Sequence, residues 1–439
     1  MRITVIGTGY LGVTHAACMA ELGFEVMGLD VDVEKVAALA SGRVPFYEPG
    51  LQEVLRAQIA AGRLSFTSDH AELAAWAGEG AVHFVCVGTP QKKGEYAADM
   101  TYVDAAFEAV ARAVAHQGRT LLVGKSTVPV GTAARLAERI AELAPDAELA
   151  WNPEFLREGH AVEDTLHPDR LVIGVRSPEA EAALRQVYGR LLEEDVPLVV
   201  TDFPTAELVK VSANSFLAVK ISFINAMAEV CEAAGADVMQ LSEALSHDPR
   251  IGGRYLVPGL GFGGGCLPKD IRAFMARAGE LGVDQALAFL KEVDAINMRR
   301  RARTVDLARE QCDGSLLGKR VAVWGAAFKP ESDDIRDSPA LNVAASINLQ
   351  GAQVTVYDPK AMDNARKMFP TLSYAGSAME AAEQADVILH LTEWQEFRDL
   401  DPAAVGVQVR NTRIIDSRNA LDAAAWRAAG WTYRALGRP

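Results

Sequence analysis

Short apolar runs, separated by helix-length segments and repeated in two distant parts of the chain, restrict the fold of this sequence more than any other feature. In the first part Ile3–Ile6, Glu25–Leu29, His83–Val87, Thr120–Val123, Glu148–Trp151, Arg170–Val175 and Pro197–Thr201 read as strands. Several are continuous and β-branched, the pattern of parallel strands buried on both faces. After Gly314 the pattern resumes with Lys319–Trp324, Gln353–Asp358, Ala385–Leu391 and Arg413–Asp416. The two parts echo one another: Arg2-Ile-Thr-Val-Ile-Gly beside Arg320-Val-Ala-Val-Trp-Gly, and Val26-Met-Gly-Leu-Asp beside Val354-Thr-Val-Tyr-Asp. Between Pro204 and Gly235 no Gly or Pro interrupts the chain, and Leu208, Val211, Phe216, Val219, Ile224, Met227 and Val230 supply the apolar face of one long helix. Further helical segments run to about Asp306. The expectation is an α/β protein. Two Rossmann-like doubly wound domains, residues 1–202 and 307–439, are joined by a long central helix and a helical middle domain, residues 203–306.

A chain of 439 residues is long enough for two or three cores. Its 44 basic and 58 acidic residues give a net charge of −14 with no basic block, which argues against nucleic-acid or anionic-membrane partners. No apolar run approaches a bilayer-spanning length. The chain opens directly on a strand, so no secretory leader is expected. Five scattered cysteines without a Cys-x-x-Cys pair suggest reduced thiols in the cytoplasm, and neither the cysteines nor the eight histidines form a metal-ligand pattern.

Gly7-Thr-Gly9-Tyr-Leu-Gly12 follows the first strand and opens a helix. The first glycine allows the tight turn, the second lets a pyrophosphate approach the backbone, and the third lets helix and strand pack closely. Asp30 ends the next strand, where a carboxylate accepts ribose hydroxyls and repels a 2′-phosphate. Together these point to NAD rather than to an ordinary tight turn. Val87-Gly-Thr89-Pro and Lys125-Ser-Thr127-Val-Pro end later strands, on the side where such sheets bind ligands. The matching turn of the second half, Gly325-Ala-Ala-Phe-Lys329, lacks the three glycines. It is either another nucleotide site or purely structural.

The richest stretch is Gly259-Leu-Gly-Phe-Gly263-Gly-Gly-Cys266-Leu-Pro-Lys269-Asp270. So many glycines suit a backbone held close to a ligand. Pro268 suits the first turn of a helix, which puts Cys266 at a helix N-terminus beside Lys269, where a thiolate is favoured. On these local features Cys266 is either a nucleophile or a small buried thiol. Lys210 and Asn214 lie four residues apart on the long helix, fit to stabilise an oxyanion or merely solvated. Asn152-Pro-Glu154-Phe-Leu-Arg-Glu158 places two carboxylates one turn apart if helical, either for chemistry or as helix-start charge.

Taken in order, these motifs resemble the UDP-glucose/GDP-mannose dehydrogenase family over essentially the whole chain. The resemblance rests on Gly7–Gly12, Val87–Pro90, Ser126–Pro129, Asn152–Glu158, Glu207–Lys210 with Asn214, Asp248-Pro-Arg-Ile-Gly252, the cysteine segment and Phe328-Lys329. It implies an NAD-dependent enzyme that removes four electrons from C6 of a nucleotide-diphosphate hexose. UDP-glucose is the first choice and TDP-glucose or GDP-mannose the alternatives. In the family pattern Cys266 is the nucleophile, Lys210 and Asn214 stabilise the alkoxide, Asp270 helps place the catalytic water, and Glu154 and Thr127 activate and position it. The cofactor is implied to meet Gly7, Gly9, Tyr10, Leu11, Gly12, Asp30, Lys35, Thr89, Thr127, Glu158, Lys269 and Arg336. The sugar nucleotide is implied to meet Glu154, Phe155, Leu156, Arg157, Glu158, Lys210, Asn214, Tyr255, Gly263, Phe328, Lys329 and Arg418, with Arg250 reaching from a neighbouring subunit. A homodimer through the long helix is expected. Gly265 stands where serine is frequent in the family, and Leu267 where many UDP-glucose enzymes have phenylalanine. The competing readings are a two-electron dehydrogenase with a structural Cys266, and an NAD-binding scaffold without activity.

Overall fold

The computed structural model describes residues 1–438. Its first eight strands are β1 (Arg2–Ile6), β2 (Glu25–Leu29), β3 (Leu64–Thr67), β4 (Val82–Val85), β5 (Thr120–Gly124), β6 (Ala147–Trp151), β7 (Leu171–Gly174) and β8 (Leu198–Thr201). They form one sheet in the order β3-β2-β1-β4-β5-β6-β7-β8. Neighbours are parallel, except that β6 meets β7 antiparallel at Trp151 and Gly174. A second sheet contains β9 (Arg320–Trp324), β10 (Gln353–Tyr357), β11 (Ser373–Tyr374), β12 (Val387–His390), β13 (Arg413–Asp416) and β14 (Thr432–Ala435). All its pairs are parallel, in the order β11-β10-β9-β12-β13-β14. Strand order reverses at β1/β4 in one sheet and at β9/β12 in the other, the switch points outside which doubly wound folds take their ligands.

The continuous apolar runs are explained by burial on both faces. Ile3 and Val5 of β1 pack into one cluster with Val26, Leu64, Phe84 and Val123, whereas Ile6 packs into another with Met27, Leu29, Val85 and Trp151. Successive side chains of a strand point to opposite faces, so a strand sandwiched between helix layers must be apolar at every position. The strands β3, β11 and β14 give no comparable signal in the sequence, and each lies at the edge of its sheet. Edge strands are only half covered: in β14, Tyr433 and Ala435 are buried while Thr432 is exposed and Arg434 half-buried.

The chain divides into two compact units, residues 1–213 with 272–282, and residues 214–271 with 283–439. The expected long helix runs from Phe203 to Ala234, so its start belongs to the first unit and the rest to the second. In the second unit Ile224, Ala228 and Cys231 of this helix pack with Val238 and Leu256. Phe216, Phe223 and Val230 stay exposed, at 65%, 48% and 58%. One expectation needs correction. Residues 152–157 have no regular secondary structure, so Glu154 and Glu158 are not stacked on a helix. Pro153 disfavours the helical conformation at Asn152, and Glu154 Oε2 accepts the Leu156 N–H at 2.6 Å, closing a local turn.

Candidate active site

In the first unit, the turn after β1 has Gly7 in the left-handed region (φ +87°). A Cβ on Gly12 would lie 1.8 Å from the Gly7 carbonyl oxygen, whereas one on Gly9 would meet no protein atom within 4 Å. The sequence therefore demands glycine at 7 and 12 for packing, and at 9 the backbone is open to a ligand. Asp30 is buried at the end of β2. Its Oδ2 accepts the Thr8 N–H (2.8 Å), the Thr8 hydroxyl (3.0 Å) and Lys35 Nζ (3.0 Å), and its Oδ1 accepts the Asp32 N–H (3.1 Å). Burial opposes ionisation, but the Asp32 and Thr8 amides and Lys35 outweigh it and hold the Asp30 carboxyl below its usual range. A rigid, ionised acceptor at this strand end fits the ribose of NAD.

Tyr10 turns its hydroxyl onto Glu48, and burial beside that carboxylate pushes the phenol well up. Glu48 in turn accepts the Gly159 and Ala161 N–H groups, both at 2.7 Å. Glu48 thus ties the dinucleotide turn to the backbone just after Glu158; it had no recognised signal in the sequence, because its partners are distant along the chain. Thr89 is buried, and Thr127 is half-buried one residue after Ser126, whose hydroxyl donates to the Val87 carbonyl at 2.6 Å. Leu11 packs against the core, and Glu158 and Leu156 are half-buried.

Lys210 and Glu154 form a largely buried ion pair, Nζ to Oε1 2.9 Å, with 5% and 13% of their side chains exposed. Lys210 Nζ also lies 5.6 Å from the centre of the Phe155 ring, whose other neighbour is the Arg170 guanidinium at 3.9 Å. Three residues before Lys210, Glu207 accepts the Gly131 and Ala133 N–H groups at 2.7 and 2.6 Å, anchoring this turn of the long helix to the loop that follows Thr127. Arg157, by contrast, is exposed and ion-paired with Asp164.

In the second unit Cys266 is exposed, whereas the other four cysteines are buried. It immediately precedes the helix Leu267–Glu280, and its carbonyl accepts the Asp270 N–H at 3.0 Å, so it caps that helix as expected. Asp270 is buried at 2%. One of its oxygens accepts Asn214 Nδ2 at 2.7 Å and the other Lys269 Nζ at 2.6 Å. Within the second unit Asn214 is thus tied to Asp270, as Lys210 is to Glu154 in the first.

The glycine run approaches protein more closely than expected. A Cβ on Gly261, Gly263 or Gly265 would lie 2.2 Å from Asn297 Oδ1, 2.4 Å from the Asp337 carbonyl, and 2.2 Å from the Arg336 guanidinium carbon, respectively. Asn297 exchanges two hydrogen bonds with Phe262, and Arg301 donates to the Phe262 carbonyl at 3.2 Å. Arg418 donates to the carbonyls of Leu391 (2.7 Å), Gly261 (3.1 Å) and Phe328 (3.1 Å), so it clamps three backbone segments around the loop. Asn297 and Arg301 escaped the sequence reading, since nothing in a helix of mixed charge marks which polar residues are buried. Arg336 is held by Asp334, Lys329 lies 5.7 Å from the Phe328 ring centre, and Tyr255 takes a left-handed backbone (φ +64°). Arg250 is exposed at 87% of its side chain and bonded to Asp248.

Residues 1–192 match the NAD binding domain of the UDP-glucose/GDP-mannose dehydrogenase family, residues 204–299 its central domain, and residues 322–423 its UDP binding domain. This chain belongs to that family. A UDP-glucose 6-dehydrogenase of Rhizobium meliloti is 40% identical over 443 residues, with all of both chains covered. That of Pseudomonas aeruginosa is 38% identical, covering 100% of this chain and 98% of its own. Among solved structures, a UDP-glucose dehydrogenase from Pyrobaculum islandicum superposes with a TM-score of 0.91 at 38% identity, covering 100% of this chain and 98% of its own. The protein is an NAD-dependent oxidoreductase, and the glycine turn with Asp30 belongs to its NAD binding domain.

Proposed function

We propose that this protein oxidises UDP-glucose to UDP-glucuronate, removing four electrons from C6 through a thioester on Cys266. The observation that carries the reading is Cys266 itself: the exposed cysteine of the five, at a helix start, four residues from a buried Asp270 held by Asn214 and Lys269. The names of the full-length relatives support the choice of substrate.

NAD, when bound, accepts one hydride at each of two oxidations. The first converts the C6 alcohol to an aldehyde and releases a proton. The Cys266 thiolate then adds to the aldehyde carbon, forming a C–S bond and an alkoxide. Loss of the second hydride from that carbon leaves the thioester, which keeps the aldehyde from escaping. Water attacks the thioester, the C–S bond breaks, and uronate and thiolate are released. The sum is one alcohol, two NAD and one water giving one carboxylate, two NADH and three protons. Lys210 and Asn214 stabilise the negative oxygen at each stage. Glu154 and Thr127 activate and position the water, and Asp270 orients Asn214 and Lys269. Gly7, Gly9, Tyr10, Leu11, Gly12, Asp30, Lys35, Thr89, Glu158, Lys269 and Arg336 serve the cofactor. Phe155, Leu156, Arg157, Gly263, Tyr255, Phe328, Lys329 and Arg418 serve the sugar nucleotide.

The functional division runs 1–202 for NAD, 203–306 for the helical middle and 307–439 for the sugar nucleotide. A homodimer forms through the long helix, whose exposed Phe216, Phe223 and Val230 recur at seven-residue spacing with Val219 between them, a stripe suited to a second copy. The exposed Arg250 serves the neighbouring subunit's substrate. The enzyme works in the cytoplasm; among the described residues no helix is long and apolar enough to cross a membrane.

The test is stoichiometric. UDP-glucose, TDP-glucose, GDP-mannose and UDP-N-acetylmannosamine are each incubated with excess NAD, and NADH is counted per sugar consumed. UDP-glucose is expected to turn over fastest and to give two. A yield of one, or uronate formed at the normal rate by Cys266→Ser, overturns the thioester.

A further inference from the structure

Lys125 follows β5 directly and is 7% exposed. Its Nζ donates to Asn152 Oδ1 at 2.9 Å and lies 3.5 Å from the Tyr188 hydroxyl. Asn152 is itself fixed: its Nδ2 donates to the Val172 carbonyl at 2.8 Å, and Tyr188 donates to the same Oδ1 at 2.5 Å. Among the described residues, no carboxylate makes an ion pair with this amine. A lysine is almost never this deeply buried without a paired anion, because losing its hydration is costly. The chemistry proposed above assigns it no role.

Its surroundings show what it reaches. Asn152 begins the stretch that leads, two residues later, to Glu154 and so to the Lys210–Glu154 pair. The titratable groups facing Lys125 are His15 from the first helix, Cys86 after β4, Tyr188, Glu154 and Lys210. Burial keeps the His15 imidazole neutral, pushes the Cys86 thiol up to about 12, and raises the Tyr188 phenol. Glu154 pairs with Lys210, whereas Lys125 donates to the neutral amide oxygen of Asn152.

We propose that Lys125 is a positioning residue for the reaction: bonded to Asn152, two residues before Glu154, its buried ammonium orients the turn that carries Glu154 and adds positive potential that favours the anionic oxygen developing at C6 beside Lys210. Lys125 touches no reacting atom; it acts by orienting the Asn152–Glu154 turn and through the field it adds. The proposal rests on the reaction given above, in which negative oxygen develops at C6 three times. Burial lowers the Lys125 amine to about 8, with Cys86 and Glu154 opposing that fall and Lys210 adding to it, so its charge is switched off within an accessible pH range.

The experiment compares kcat and KM of the full-length enzyme with those of Lys125→Met and Lys125→Arg from pH 6.5 to 9.5, with UDP-glucose and saturating NAD. At pH 7 the methionine variant is expected to lose roughly tenfold in kcat, the scale of a charge interaction across a buried cluster, with both KM values nearly unchanged. Titrations common to all three proteins cancel in ratios. The ratio of wild type to Lys125→Met should fall toward one as pH rises through about 8, whereas the ratio of Lys125→Arg to Lys125→Met should stay high, because arginine keeps its charge. Ratios that do not change with pH, or an arginine variant no better than methionine, overturn the proposal and leave Lys125 as a packing residue. A wild-type yield of one NADH per sugar instead overturns the thioester reading, while the ratios still report on Lys125 in the single oxidation.

Discussion

The same lysine makes a thermodynamic prediction that does not involve turnover. Its amine, ordinarily near 10.5, is lowered by burial to about 8 in the folded protein. Below pH 8 the folded and unfolded chains both carry the proton, and the folded one bears the whole desolvation cost. Between about 8 and 10.5 the folded protein has released the proton while the unfolded chain retains it, so stability climbs with pH. At about 1.4 kcal/mol per pH unit, the cost at neutral pH is about 3 kcal/mol. Lys125→Met removes the cost together with one hydrogen bond to Asn152, worth about 1 kcal/mol; Asn152 Oδ1 keeps its bond from Tyr188. The variant should therefore be more stable than wild type by about 2 kcal/mol at pH 7, and the gap should close toward pH 10. Urea unfolding of the full chain at pH 7, 8, 9 and 10, followed by the fluorescence of buried Trp151 and the other tryptophans, measures it. A methionine variant equal or inferior in stability at pH 7, or a gap independent of pH, would refute the reasoning. Greater stability with slower turnover would mean that the buried charge is retained for catalysis, at the expense of stability.

Asp270→Asn keeps the shape of the side chain but removes the charge held by Lys269 and Asn214; kcat should fall by roughly 100-fold or more, read as NADH release under saturating substrates. Asp30→Asn weakens the acceptor at the end of β2, and the KM for NAD should rise roughly 10- to 100-fold with that for UDP-glucose nearly unchanged, in line with the about 1.5–3 kcal/mol of a charge-assisted hydrogen bond. Phe216→Glu with Phe223→Glu places charge in the exposed stripe of the long helix; light scattering should show monomers, and a dimer of unchanged affinity would remove that stripe from the interface.

Much of this protein could be read without coordinates, and the reasons are local. A strand covered on both faces must be apolar at each position, so the central strands declare themselves, as Ile3–Ile6 and Val321–Trp324 do. A turn that packs a helix against its strand requires glycine at 7 and 12, and a helix that begins after a glycine loop puts Cys266 at its first turn. Each of these depends on neighbours within a few residues. The order of motifs along the chain was equally legible, and it is the order that the family domains follow.

The pairings were decided by the tertiary structure. Asp270 takes Asn214 across 56 residues, Glu48 takes Gly159 across 111, and Arg418 reaches Gly261 across 157. The edge strands β3, β11 and β14 belong to the same class, since a half-covered strand owes its place to a partner rather than to its own apolar run. The loop at Glu154 is another case, because its helical spacing was possible in the sequence but Pro153 and the Lys210 contact set a different path. The burial of Lys125 shows the difference most clearly. A lysine between Gly124 and Ser126 looks solvated in one dimension; only the packing of β4, β5 and the Asn152 turn around it removes its water and makes its charge count.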